Sequence, residues 1–153
     1  MSKIDRDQLL KLRQDNIGRL FQRAARMYSE LALEKLQAAG HEGLTLFHTA
    51  LISNLDVEGT RIVTLAERAG VTKQAMGQVV AELEERGYIV KTPDPDDKRA
   101  VLIQFTERGY QFLEDAYHIK VEIESEFAVK LGEESYRRLR DLLDALVSQS
   151  VGD

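Results

Sequence analysis

The sequence predicts a mainly α-helical chain interrupted by one small β-hairpin, and three observations carry that prediction. Two short segments with helical spacing, 64–69 and 72–85, meet across Gly70. A run of β-formers, Tyr88 to Thr92, leads through a charged turn into an alternating return from Val101 to Phe105. Amphipathic stretches of helical period stand on both sides of this unit. Two helices across a tight turn, then a hairpin with a charged tip, is the order of a winged helix-turn-helix, here flanked by N- and C-terminal dimerisation helices.

From about Asp7 to Leu36, the residues Ile17, Leu20, Phe21, Ala24, Met27, Tyr28 and Leu31 recur at helical spacing. They predict one long helix whose apolar face is more than a single 153-residue chain readily covers. A shorter helix is expected from Thr45 to Leu55, with Leu44, Phe47, Leu51 and Leu55 inward, followed by a loop over 56–61. Arg61, at the end of that loop, is open to a phosphate contact, although a salt bridge is the commoner fate of such an arginine.

Thr64 is expected to cap the next helix, with Glu67 completing a capping box. Gly70 ends it, because glycine accepts the left-handed backbone of a sharp exit. Thr72 then caps a second helix, in which Met76, Val79, Val80 and Leu83 share one face and pack on Leu65, Ala69 and Val71. The opposite face carries Lys73, Gln74, Gly77 and Gln78, side chains and a gap suited to phosphates and purine edges in a major groove. Gly77 costs this helix about 1 kcal/mol relative to alanine. Close approach of a DNA backbone and contact with a neighbouring helix are both open explanations.

The prolines and aspartates of 93–99 cannot continue a strand, so a turn is expected there. On the return, Val101, Ile103 and Phe105 alternate with Leu102 and Gln104, pairing with 88–92. Lys98 and Arg99 stand at the tip as cations suited to a minor groove or its phosphates, with Asp97 expected to orient the Arg99 side chain. Composition alone fits an ordinary solvated turn. Its place directly after a helix-turn-helix makes it a DNA-touching wing. The candidate DNA-binding set is therefore Thr72, Lys73, Gln74, Gly77, Gln78, Asp97, Lys98 and Arg99.

Beyond the hairpin, Tyr110, Leu113, Tyr117, Val121 and Phe127 predict a long helix, Gly132 interrupts it, and Tyr136, Leu139, Leu143, Leu146 and Val147 predict another. The resulting division is 1–38 as an N-terminal dimerisation helix, 39–109 as the winged unit and 110–153 as C-terminal dimerisation helices, all within one compact domain. Two copies joined this way would read a pseudo-palindromic double-stranded operator with half-sites about one helical turn apart.

Composition narrows the function. The net charge is −5, but residues 1–60 and 61–108 each balance at eight basic and eight acidic side chains, while 109–153 carry five and ten. The acidic excess is C-terminal, and screening over about 8 Å lets local cations on the winged unit act separately from it. Zero cysteines exclude a disulfide, a thiolate zinc site and thiol-based peroxide sensing. His41, His48 and His118 are too scattered to form a metal site, and no cofactor is implied. The chain has no Walker or Rossmann loop and no His-Glu metal motif, and the adjacent acidic pairs diverge by about 100° on a helix, so it is not an enzyme. Neither a membrane-spanning run nor a secretory leader is visible, and the expected location is cytoplasmic. A winged helix serving as a protein-interaction or dimerisation module is the competing class, one that the acidic total suits.

Residues 44–109 resemble the MarR family of bacterial transcription regulators. The resemblance rests on Leu44-Thr45, Leu65-Ala66-Glu67 with Gly70, Leu83 with Gly87, Asp97 with Arg99, and Phe105-Thr106 with Gly109. Phe105 stands where leucine is usual, which keeps an apolar position. The resemblance implies a homodimer with one winged helix per protomer, usually a repressor released by a small molecule or by oxidation. An effector cleft where the terminal helices meet the winged unit is part of that implication. Tyr28, Phe47 and His48 are candidates to line it, although aromatics at helical spacing are more often core.

Overall fold

The computed structural model describes residues 5, 6, 16–97 and 99–148. The elements run α1 (Ile17–Ala38), α2 (Leu46–Asn54), β1 (Thr60–Arg61), α3 (Ile62–Ala69), α4 (Lys73–Glu85), β2 (Ile89–Pro93), β3 (Val101–Phe105), α5 (Glu107–Leu131) and α6 (Glu133–Ser148). A mainly helical chain with a small antiparallel sheet is what the sequence predicts. The stretch of the first predicted helix from Asp7 to Asp15 lies outside the described residues.

The core sits where α2, α3, α4 and the hairpin converge. Leu51, Ile52, Leu65, Met76, Val80, Leu83, Ile89 and Ile103 are all buried there. On α4 the buried set is Met76, Val79, Val80 and Leu83, the stripe expected from the i, i+3, i+4, i+7 spacing. Gly70 closes α3 with φ 65° and ψ 31°, and the Val71 amide returns to the Ala66 carbonyl at 3.0 Å. That left-handed exit turns the chain sharply enough for Thr72 to cap α4 two residues later, accepting from the Ala75 amide at 3.1 Å.

Three local expectations are corrected. Residues 60 and 61 are a third strand rather than loop: β1 lies beside β3, with Thr60 opposite Ile103 and Arg61 opposite Leu102, giving the order β1-β3-β2. A two-residue strand is too short to show a period, and its pairing satisfies an edge of β3 that would otherwise stay open. Because β1 feeds straight into a helix, α3 begins at Ile62 with Arg61 as its N-cap and no side-chain cap bond. Thr64 therefore lies inside the first turn, and the Thr64–Glu67 box does not start the helix.

In α2 the inward residues are Leu44, His48, Leu51, Ile52 and Leu55, while Phe47 is 42% exposed. Positions 44, 48, 51 and 55 fall in one stripe at 100° per residue, and Phe47 lies off it. α5 forms where the spacing predicts a long helix; its buried residues are Gly109, Phe112, Ile119, Ile123 and Ala128, and Tyr110, Tyr117 and Val121 stay exposed on the single chain. Several apolar registers coexist on that helix, and packing against α1 selects one.

The motif Phe105-Thr106-x-x-Gly109 has a clear packing role. Thr106 Oγ1 accepts from the Gly109 amide at 3.2 Å and donates to the Gly87 carbonyl at 2.5 Å, pinning the start of α5 to the turn after α4. A Cβ on Gly109 would collide with the Tyr88 carbonyl and the Phe105 ring, so α5 can start here only on glycine. Further along, α5 is tied to α1 by Lys35, whose Nζ lies 2.5 Å from Glu122 and 2.8 Å from Glu126, and by an edge contact between Tyr28 and Phe127.

Candidate nucleic-acid interface

α4 presents two unlike faces, and the outward one begins at its N-terminus. Thr72, Lys73, Gln74 and Gln78 are exposed there, and Gly77 is half-buried between them. The heads of Lys73, Gln74 and Gln78 make no hydrogen bond or ion pair with any described residue. The Thr72 hydroxyl is occupied by the cap. The end of a capped helix also carries partial positive charge, which favours phosphate. A Cβ placed on Gly77 would meet only Ile62 Cδ1, at 3.9 Å, an ordinary contact. Intramolecular packing therefore does not require glycine at this position.

The hairpin is held to α4 by a bond that the sequence does not signal. Lys91 Nζ lies 2.5 Å from Glu84 Oε2, and the Lys91 amide donates to Glu84 Oε1 at 3.4 Å. Lys91 keeps the Glu84 carboxyl below its usual range through this bond. Glu84 and Lys91 are separated by the turn after α4, so helical spacing gives no sign of them.

At the wing, the loop is organised by Asp94, a buried carboxylate. Its Oδ1 accepts from the Asp96 amide at 2.9 Å, and its Oδ2 accepts from Arg61 Nε at 2.7 Å and Nη2 at 2.5 Å. These bonds, the Asp96 amide first and then Arg61, hold the Asp94 carboxyl below the ordinary aspartate value despite its burial. Arg61 thus takes the salt bridge rather than a free position, and β1 becomes an anchor for the wing.

Asp97 acts differently from the expectation. Its Oδ1 accepts from the Arg99 amide at 3.0 Å, forming a local side-chain turn, and its carbonyl accepts from the Ala100 amide at 2.8 Å. Asp97 shapes the turn through the backbone, and the exposed Arg99 guanidinium has no partner among the described residues. Short reach explains this: an aspartate two residues before an arginine meets its amide more readily than its side chain. Lys98 lies outside the described residues.

A cleft of about 610 Å³ opens between α1, α2 and α5. Tyr28, Ala32, Leu46, Ala50, Phe112 and Tyr117 are among its walls, with Lys120 at one side. Of the three residues expected to line a cleft, Tyr28 does so. Phe47 and His48 are not among its walls: the first points outward, and the second is buried toward α4. His41 is also a core residue, its Nδ1 2.9 Å from the Tyr88 hydroxyl and its Nε2 3.0 Å from Asp115. No described helix is long and apolar enough to cross a membrane.

Comparison with known proteins agrees with this geometry. Residues 42–100 match the family model described as MarR family. An HTH-type transcriptional regulator of Bacillus subtilis (strain 168), YkoM, is 30% identical over 109 residues, covering 68% of this chain and 66% of that protein. The match thus spans just under two thirds of that relative's length. The crystal structure of CouR from Rhodococcus jostii RHA1 bound to p-coumaroyl-CoA superposes with a TM-score of 0.65 at 27% identity, over 86% of this chain and 92% of that one. Wild-type MarR from E. coli, in its apo form, gives a TM-score of 0.73 at 21% identity, over 86% and 96% of the two chains. The winged helix with its three-stranded sheet, the Leu65-to-Gly109 motif run and the match of residues 42–100 together place the chain in the MarR family.

Proposed function

We propose that the protein is a cytoplasmic homodimer that binds a pseudo-palindromic operator and represses transcription until a small molecule fills the cleft between α1, α2 and α5. The observation that carries the reading is the polar stripe of Lys73, Gln74 and Gln78 on the outward face of a capped helix, without a partner among the described residues, tied through Glu84–Lys91 to a hairpin bearing an exposed Arg99. Such a surface is matched by base edges and phosphates.

Dimerisation is supported by apolar residues that the single chain leaves exposed. Ile17, Leu20 and Met27 on α1, with Leu139, Leu142 and Val147 on α6, are each at least 45% exposed. A groove of about 980 Å³ runs between α1, the end of α5 and α6. Contiguous apolar surface of this kind marks an interface. Residues 1–38 and 110–153 thus serve as the dimerisation helices, and 39–109 as the reading head. The effector reading rests on the apolar cleft, and a ligand would act through unequal affinity for the DNA-competent and incompetent arrangements.

The test is selection of bound duplexes from a random-sequence pool, followed by anisotropy titration. A dyad-symmetric consensus is expected, with the Lys73→Ala/Gln74→Ala/Gln78→Ala variant folded and dimeric but unable to distinguish it from random duplex. If that variant retains full sequence preference, or no consensus emerges, the interaction-module reading takes its place.

A further inference from the structure

α2 is a two-sided helix. Leu46, Thr49, Ala50 and Ser53, at i, i+3, i+4 and i+7, line the cleft together with Ile52, while His48 and Leu51 are buried outside its walls, His48 against Glu82 of α4. Any group filling the cleft presses on the first stripe, and the second stripe is what the head feels.

The contact on that second stripe is directional. His48 is buried, and its Nδ1 accepts from the Thr45 amide at 3.1 Å while the Thr45 hydroxyl accepts from the His48 amide at 3.3 Å. With Nδ1 committed as an acceptor, the ring proton is on Nε2, which donates to Glu82 Oε2 at 2.8 Å. The cap at the start of α2 therefore fixes both the orientation and the tautomer of the ring.

Glu82 stands on α4 one turn beyond Gln78 and two beyond Gln74, in the same i, i+4, i+8 stripe. The bond at Glu82 thus ties α2 directly to the row that carries the candidate base-reading side chains.

We propose that His48 is a positioning residue that transmits occupancy of the α1–α2–α5 cleft to the reading helix through its Nε2–H bond to Glu82. The inference rests on the proposed DNA-reading and effector functions. A shift of α2 either drags Glu82 with it or breaks the bond. In both cases the Gln74–Gln78 row leaves its set position.

The test exploits the absence of cysteine from the chain. Ser53→Cys supplies a single thiol on the cleft stripe, and reaction with benzyl methanethiosulfonate places an aryl group in the cleft as a disulfide that dithiothreitol removes. The readout is affinity of the dimer for its selected duplex, before and after labelling. Labelling of Ser53→Cys is expected to weaken binding about tenfold, reversibly, a typical size for coupling between sites. In Ser53→Cys/Glu82→Ala the ratio should collapse to within about twofold, and in Ser53→Cys/Glu82→Gln, whose carboxamide oxygen still accepts, it should persist.

Glu82 is exposed, so these variants keep the fold where a change at buried His48 endangers it. A merely structural role would lower binding of labelled and unlabelled protein alike and leave their ratio intact. If Glu82→Ala retains the full ratio, the relay is overturned while control through the cleft stands. If labelling changes nothing in Ser53→Cys alone, the cleft fails as a control site and the relay falls with it.

Discussion

At the scale of single residues, the proposed interface rests on Lys73, Gln74, Gln78 and Arg99, whose polar heads have no partner among the described residues. Among the described residues the Arg99 guanidinium has no partner, since Asp97 bonds the Arg99 amide instead. Its expected contribution is electrostatic and indifferent to sequence. Arg99→Ala should weaken binding to selected and random duplexes alike, and flatten the plot of log affinity against log salt by about 0.9 for each phosphate that the variant no longer neutralises. Gln74→Ala should instead leave that slope unchanged and relax preference at one base pair by about 1 to 3 kcal/mol, read by competition between duplexes differing at that pair. Gly77 is the sharper case, because Ile62 Cδ1 at 3.9 Å leaves room for a methyl group. Alanine there should raise the thermal midpoint, worth up to about 1 kcal/mol of helix propensity. If a DNA backbone approaches this position, the same substitution weakens operator binding. A variant that gains both stability and affinity would remove Gly77 from the interface.

At the scale of elements, the wing depends on one buried carboxylate that ties its loop to β1. The native Asp94 value is depressed, so its stabilisation is present above the ordinary aspartate value of about 3.9 and disappears as pH falls through the lower native value. Asp94→Asn should lower the thermal midpoint at neutral pH and also lose less of it between about pH 5 and pH 2 than the parent does. Asp56 and Glu84 are depressed too, through Arg68 and Lys91, and contribute their own acid slope, so the difference between variant and parent is the quantity that isolates Asp94. These elements also show what a sequence discloses. The α3–α4 turn is legible because Gly70, Thr72 and the Met76–Leu83 stripe act locally, within one or two helical turns. β1 is not legible, since its two residues are defined only by pairing with β3. The same holds for Glu84–Lys91, an ion pair made across the fold, and for Asp94 as the partner of Arg61, whose salt bridge is expected without any spacing to name the carboxylate. Phe47 misleads because helix spacing admits two adjacent stripes, and only packing against α3 and α4 shows that His48 takes the inner one.

At the scale of the whole molecule, the proposed dimer assigns half a pseudo-palindrome to each reading head, and strong binding on that reading requires two heads at fixed separation. The apolar residues exposed on α1 and α6 are far from the reading stripe in sequence, so their substitution separates assembly from recognition. Leu20 and Leu142, 55% and 61% exposed, contribute nothing to the core of the single chain. Leu20→Asp/Leu142→Asp should therefore leave helix content and the midpoint of the winged unit nearly intact while sedimentation velocity shifts from dimer to monomer. Each head would still read its half-site, but engagement of the second half-site would no longer be intramolecular. The effective-concentration gain of about 10²- to 10⁴-fold that a linked pair enjoys would vanish, and full operator and isolated half-site would bind equally weakly. A parent protein that sediments as a monomer while binding the full operator tightly would contradict the two-headed arrangement. Dimers surviving the double substitution would move the interface away from these two helices.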